Sequence, residues 1–136
     1  FSRRVVGWAT GRDITTSLVS LALERAAAKR HYPRGVLLHS DRGVQYTSGE
    51  YRAVVRALGM RQSMSRLGNC WDNAVAESFF RALKVEVIKG LQLTSRQEAE
   101  TVIFKYIEGY YNKWRAHSFL GYRSPEEFEQ NFVASP

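Results

Sequence analysis

The sequence predicts an α/β fold on three observations. Val36-Leu37-Leu38-His39 is short, apolar and bounded by turn signals, so it reads as a buried strand. Arg4-Val5-Val6-Gly7-Trp8-Ala9-Thr10 reads as an earlier short strand. An Ala- and Leu-rich helical stretch lies between them, and strand, helix, strand in that order is the pattern of an α/β sheet.

The elements follow in order. Thr15 or Thr16 is placed to cap the first helix, which runs to about Arg30. Tyr32-Pro33-Arg34-Gly35 is a turn. Thr47-Ser48-Gly49-Glu50 is a capping box, and Tyr51, Val54, Val55 and Leu58 then fall on one helical face. Gly59 is placed to end that helix. Met60 to Met64 suits an edge strand, and residues 65–69 form a polar loop. A helix beginning near Asp72 has Val75, Phe79 and Leu83 on its apolar side; Glu77, Arg81 and Lys84 share another side. Thr94-Ser95-Arg96-Gln97 opens a helix to about Tyr111. Ser124-Pro125-Glu126-Glu127 caps a short terminal helix with Phe128 and Phe132. The expected organisation is one partial core domain over residues 1–136, with a helical segment from about 94 to 136.

With 136 residues and 44% hydrophobic composition, the chain suits one domain with a modest core and is not a disordered polymer. Lys and Arg number 20 against 13 for Asp and Glu, a net charge of +7. That balance favours a polyanionic partner, nucleic acid first, although basic solvated surfaces are common. Arg25, Lys29, Arg30, Arg34 and Arg42 crowd one segment, and Lys113, Arg115, His117 and Arg123 another. Cys70 is the single cysteine, which excludes an intrachain disulfide and points to a reducing, cytoplasmic setting. No apolar run is long enough to span a bilayer. The chain starts with Phe1, with no signal core behind it, and reads as a fragment or processed piece.

Asp41 and Glu77 carry the chemistry. Asp41 follows the apolar run directly, in His39-Ser40-Asp41-Arg42-Gly43, and Glu77 lies beyond the 35 residues 42–76. A carboxylate at a strand end and another on a later helix are the donors for metal-assisted phosphoryl chemistry. The plain alternatives are an Asp-Arg-Gly turn and a solvated helix glutamate. Open α/β sheets place ligands at the carboxyl ends of strands, which favours function for Asp41. The apolar neighbours Trp71, Val75, Phe79 and Phe80 give Glu77 a need for a partner. Lys84 and Arg81 are helix-surface cations that also suit phosphate contact. Trp71, Tyr46, Tyr110, Tyr111 and Trp114 are able to stack on unpaired bases, though packing is the commoner role. His39 reads as a hydrogen-bonded strand-end residue. His117 reads as a loop-ordering or phosphate-contacting one. Cys70 reads as a small packing residue.

Three segments together resemble bacterial insertion-sequence transposases of the IS-three type, whose catalytic core is retroviral-integrase-like. Residues 39–48 (His-Ser-Asp-Arg-Gly-Val-Gln-Tyr-Thr-Ser) resemble that family's second-aspartate motif. Residues 68–74 (Gly-Asn-Cys-Trp-Asp-Asn-Ala), with Glu77-Ser78-Phe79-Phe80 and Leu83-Lys84, resemble its glutamate motif. Tyr111-Asn112, Arg115, His117-Ser118 and Leu120 to Pro125 resemble its C-terminal signature. The resemblance implies a ribonuclease H-like fold and a DDE site, with Asp41 and Glu77 as second and third acids holding Mg²⁺ or Mn²⁺. It implies DNA contact by Lys84, with less direct cases for Arg81, Asn73, Arg115 and His117. The implied activity is metal-dependent DNA cleavage and strand transfer. The implied partners are element ends, target DNA and further copies of the parent protein, in the bacterial cytoplasm at the nucleoid and at no membrane.

The family's first Asp lies on a strand upstream of Phe1, so the first two core strands are expected to be missing, and metal binding requires that Asp to be supplied. Asp13 follows Gly11-Arg12 near a helix start, where capping is the simpler role. The alternatives are a catalytically dead remnant that binds nucleic acid, or a metal nuclease on the same fold. An absent central strand leaves backbone edges unpaired. The isolated chain is therefore expected to unfold at low temperature or to self-associate, and to perform no strand transfer. Cooperative unfolding of a dilute monomer, measured by calorimetry and sedimentation, is the contrary result.

Overall fold

The computed structural model describes residues 1–67 and 73–133. Helix α1 spans Thr16–Lys29, strand β1 Leu37–Ser40, the single turn α2 Val44–Thr47, helix α3 Gly49–Ala57 and strand β2 Arg61–Met64. Helix α4 covers Ala74–Leu83, α5 Arg96–Phe104 and α6 Pro125–Val133. The chain divides into two compact units. One comprises Val6–Val75; the other joins Phe1–Val5 to the described residues from Ala76 on.

In the Val6–Val75 unit, β1 and β2 pair in parallel, with Leu37 opposite Arg61 and Ser40 opposite Met64. Parallel neighbours need a crossover, and α3 lies in that connection. Thr15 caps α1 by accepting from Leu18 N, and Ser48 caps α3 by accepting from Tyr51 N. Gly59, at φ +65°, ends the α3 segment as its sequence position predicts. Tyr51 and Val55 from α3 and Leu23 from α1 are buried together, with Val19, Leu38, Tyr46, Val54, Leu58 and Met60 packed around them. The face predicted from periodicity is the face that packs.

The predicted strand at residues 4–10 does not form. The sheet has two strands in the order β1-β2, and neither pairs with this segment. Apolar patterning gives a chain the propensity for a strand, but a ladder needs a neighbour's backbone. Part of the segment is held otherwise. Gly7 lies so close to α1 that an added Cβ would sit 2.5 Å from Ala22 O and Ala26 N, and Arg25 Nη1 donates to Trp8 O at 3.0 Å.

In the other unit, Asn112 is 1% exposed and holds the Val5 backbone like a strand neighbour. Its Oδ1 accepts from Val5 N and its Nδ2 donates to Val5 O, both at 2.9 Å. Leu83, Tyr106, Ile107, Tyr111 and Leu120 are buried here. Ser95 caps α5, and Ser124 and Glu127 form the reciprocal cap of α6. Two wide π turns, Lys84–Ile88 and Lys105–Tyr111, continue α4 and α5; the sequence reading expected plain helix there. The helix start expected near Asp72, and the readings for Cys70 and Trp71, fall outside the described residues. No helix among the described residues is long and apolar enough to cross a membrane.

Gly7→Ala sets a methyl against α1 backbone, which cannot rotate away. It is expected to destabilise by about 3 kcal/mol, the upper range for overpacking, measured by urea unfolding of the longest natural reading frame that contains this sequence.

Candidate active site

Asp41 follows directly on β1, at its carboxyl end. The carboxylate is exposed, and its Oδ1 accepts from Gly43 N at 2.8 Å, closing an Asx turn. The plain turn reading and the functional one thus coexist: the turn fixes one oxygen and aims the group outward. Its negative charge is felt by Tyr46, whose hydroxyl is pushed up in pKa first by burial and then by Asp41. Tyr46 packs edge-on against Tyr51 at 5.5 Å between ring centres. Burial, and next Tyr46, raise the Tyr51 hydroxyl to about 12. Both rings belong to the packed core beside the turn.

The strand ends meet at Ser65, which is 4% exposed. Ser65 N donates to Ser40 O at 2.8 Å, and Ser65 O accepts from Arg42 Nε at 2.9 Å. The Ser65 hydroxyl lies 2.7 Å from Asn73 Oδ1, 3.2 Å from Ser40 O and 3.2 Å from His39 Nε2. One hydroxyl has one hydrogen, and the 2.7 Å contact takes it. A proton on His39 Nε2 then points at the Ser65 lone pair, and His39 Nδ1 accepts from the Ser63 hydroxyl at 3.2 Å. His39 is therefore the hydrogen-bonded strand-end residue its sequence context predicts. Ser65 went unnoticed because a serine in a polar loop carries no local signal of burial.

Glu77, Arg81 and Lys84 are all exposed. Arg81 and Glu77 lie on α4, and Lys84 opens the π turn that follows it. π turns inside helices recur at functional sites. Phe79, on the same helix, packs edge-on against Tyr111 at 5.1 Å. Of the aromatic residues considered for base stacking, Tyr111 is buried, while Tyr110 and Trp114 are 46% and 75% exposed.

Arg115 and His117 lie in a cluster that the sequence did not disclose. Arg115 Nε and Nη2 bond Glu86 at 3.0 and 2.6 Å, and Tyr106 donates its hydroxyl to Glu86 at 2.7 Å. The Arg115 hydrogen bond, aided by Tyr106, holds the Glu86 carboxyl below its usual range against the opposing effect of burial. The His117 ring lies 5.1 Å from Tyr111, with Nε2 buried and without a hydrogen-bond partner. Burial first, then the charges of Arg115 and Arg3, lower its pKa, so it is neutral at pH 7. Its backbone closes a loop: His117 N donates to Arg123 O, and His117 O accepts from Leu120 N and Tyr122 N.

Carboxylate oxygens are the donors that Mg²⁺ and Mn²⁺ prefer, so Asp41 and Glu77 fit such an ion in kind. Among the described residues no group of three His, Cys, Asp or Glu side chains gathers to hold one. Further ligands must come from elsewhere, such as water or phosphate oxygens.

The comparisons with known proteins agree with this architecture. An integrase core domain model matches residues 1–70, and a second integrase core domain model matches residues 58–125. The chain belongs to the integrase core domain family, and its fold is ribonuclease H-like. Its relatives include transposases of the IS3 type. Transposase InsF for insertion sequence IS3A of Escherichia coli (strain K12) is 46% identical over 134 residues, which are 98% of this chain and 46% of the relative. The transposase for insertion sequence element IS904 of Lactococcus lactis is 45% identical over 130 residues, 96% of this chain and 51% of the relative. The chain thus spans about half the length of these curated relatives. In structure it resembles the catalytic core domain of BIV integrase (TM-score 0.60, 20% identity, 91% of this chain and 78% of that one). It also resembles a chain of the simian T-cell lymphotropic virus intasome in complex with PP2A regulatory subunit B56 gamma (TM-score 0.69, 18% identity, 93% and 42%). At such identities the likeness is one of fold.

Glu86→Gln is expected to cost about 1–2 kcal/mol at pH 7, since it weakens a partly exposed, bidentate charged pair. The sign follows from the lowered carboxyl pKa of Glu86: the pair stabilises above the unfolded-state carboxyl pKa and is lost as pH falls through the folded one. The stability gap between unmodified protein and Glu86→Gln should therefore shrink towards zero below the usual glutamate range, as read by urea unfolding at pH 7, 5 and 3.

Proposed function

We propose that this chain forms the part of a DDE transposase catalytic domain that carries its second and third acids, Asp41 and Glu77. The complete protein cleaves DNA at the ends of a mobile element and joins those ends to target DNA. The observation that carries the reading is the position of Asp41: an exposed carboxylate just past the carboxyl end of β1, in a chain of the integrase core family.

In this reading Asp41 and Glu77 are ligands of Mg²⁺ or Mn²⁺, with a third acid supplied by the complete domain. Bound divalent metal supplies activation of a water or 3′-hydroxyl and neutralises charge on the leaving oxygen. The Asx turn leaves Asp41 Oδ2 for the ion while Oδ1 stays on Gly43 N. Lys84 and Arg81, exposed on and just beyond the Glu77 helix, contact DNA phosphates, and Asn73 lies near the substrate at the start of that helix. Arg115 and His117 support the DNA-facing surface by ordering the loop between the π turn and α6, since Glu86 takes the Arg115 charge and His117 is neutral. The partners are element ends, target DNA and other copies of the protein in a transpososome. The net charge of +7 suits that assembly.

Asp41→Asn and Glu77→Gln, each in the longest natural reading frame containing this sequence, should lower Mg²⁺-dependent strand transfer by more than about 100-fold, beyond the usual loss for a group that only supports a ligand. DNA binding in EDTA should be nearly unchanged. Lys84→Ala should instead weaken DNA binding on all sequences and reduce the salt slope by about 1. Full joining activity in Glu77→Gln would sink the proposal.

A further inference from the structure

We infer that Ser65 is a positioning residue for the metal site: its buried hydroxyl, bonded to Asn73, ties the start of the Glu77 helix to the strand end that presents Asp41. The inference rests on the metal-ligand reading above and adds a residue that touches no ion.

The geometry is specific. Ser65 follows β2 directly, and its backbone N–H extends the β1–β2 ladder by one bond, to Ser40 O at 2.8 Å. Asp41 is the next residue along from Ser40. The Ser65 carbonyl takes Arg42 Nε at 2.9 Å, on the other side of Asp41. Asp41 is therefore bracketed, with both chain neighbours bonded to the same serine backbone. The Ser65 side chain then reaches the other way, to Asn73 Oδ1 at 2.7 Å. Asn73 directly precedes α4, and Glu77 lies one helical turn further on. An α-helix is stiff over one turn, so a bond that fixes its first residue fixes the direction in which the Glu77 Cα–Cβ bond leaves.

Ser65 is 4% exposed, so water does not replace the lost partner when its hydroxyl is removed. His39 Nε2 at 3.2 Å holds the remaining lone pair and sets the direction of the hydroxyl hydrogen. A metal site tolerates errors of about half an ångström in its ligands before affinity falls. Groups that only orient ligands commonly govern 10- to 100-fold of metal affinity.

The test is Mn²⁺ binding, measured by electron paramagnetic resonance without DNA, on the longest natural reading frame containing this sequence. Metal-free thermal unfolding is recorded in parallel. Ser65→Ala and Asn73→Ala should each raise the Mn²⁺ dissociation constant about tenfold. The double variant should go no further, because both remove one bond. Ser65→Thr, which keeps the hydroxyl, should bind within about threefold of the unmodified protein. A purely structural role would lower the melting temperature and leave the dissociation constant of the folded fraction unchanged. Should Ser65→Ala not fold, Asn73→Ala reads the same bond from its other end. Dissociation constants within twofold of the unmodified value in the Ala variants, with Asp41→Asn and Glu77→Gln abolishing binding, overturn the positioning role alone. Normal Mn²⁺ binding by Asp41→Asn and Glu77→Gln overturns the metal-ligand reading and this inference with it.

Discussion

The parallel ladder between β1 and β2 is the constraint on which the candidate site depends. Parallel strands run their carboxyl ends to the same edge, so Ser40-Asp41 and Met64-Ser65 emerge side by side. Pairing in this direction needs a connection that returns the chain to its starting edge, and α3 lies in that return. The packing of Tyr51 and Val55 against Leu23 of α1 holds the crossover in place. At roughly 25 cal/mol per Å² of buried apolar surface, this cluster is the main favourable term in its unit. Asp41 then needs only an Asx turn to face solvent.

The second unit is organised by polar groups deep in its interior. Asn112, 1% exposed, satisfies Val5 through both faces of its amide and also accepts Glu126 N through its backbone carbonyl. A buried amide with its hydrogen bonds made contributes specificity; with a partner removed it becomes a cost of about 1–3 kcal/mol. Glu86 plays the comparable part nearer the surface by joining Arg115 to Tyr106. Signature residues that look like ligand contacts in the sequence are here engaged in holding the loop between the π turn and α6. Lys84 and Arg81, on the exposed side of the Glu77 helix, are in better positions to meet phosphate.

Local codes were legible in the sequence. The caps Thr15, Ser48, Ser95 and Ser124 each bond the backbone N–H that their spacing predicts, because capping acts within three residues. The Tyr51–Val55 face was legible for the same reason. The motif around Asp41 gave both the strand and the exposed carboxylate after it. What failed was whatever depends on a distant partner. Residues 4–10 have strand composition, yet their backbone is held by Asn112 and by α1 packing. The Asn112–Val5 pair spans 107 positions, and the Glu86–Arg115 pair spans 29; no periodicity encodes either. The π turns also escaped, since an added residue in a turn leaves the apolar pattern almost unchanged.

The central claim is that Asp41 and Glu77 share a divalent ion. Anomalous scattering from Mn²⁺-soaked crystals of the longest natural reading frame tests it most directly. The account predicts a peak at roughly 2 Å from a carboxylate oxygen of Asp41 and from one of Glu77. A well-occupied Mn²⁺ peak bonded to neither acid, or to only one with the other turned away, would contradict it.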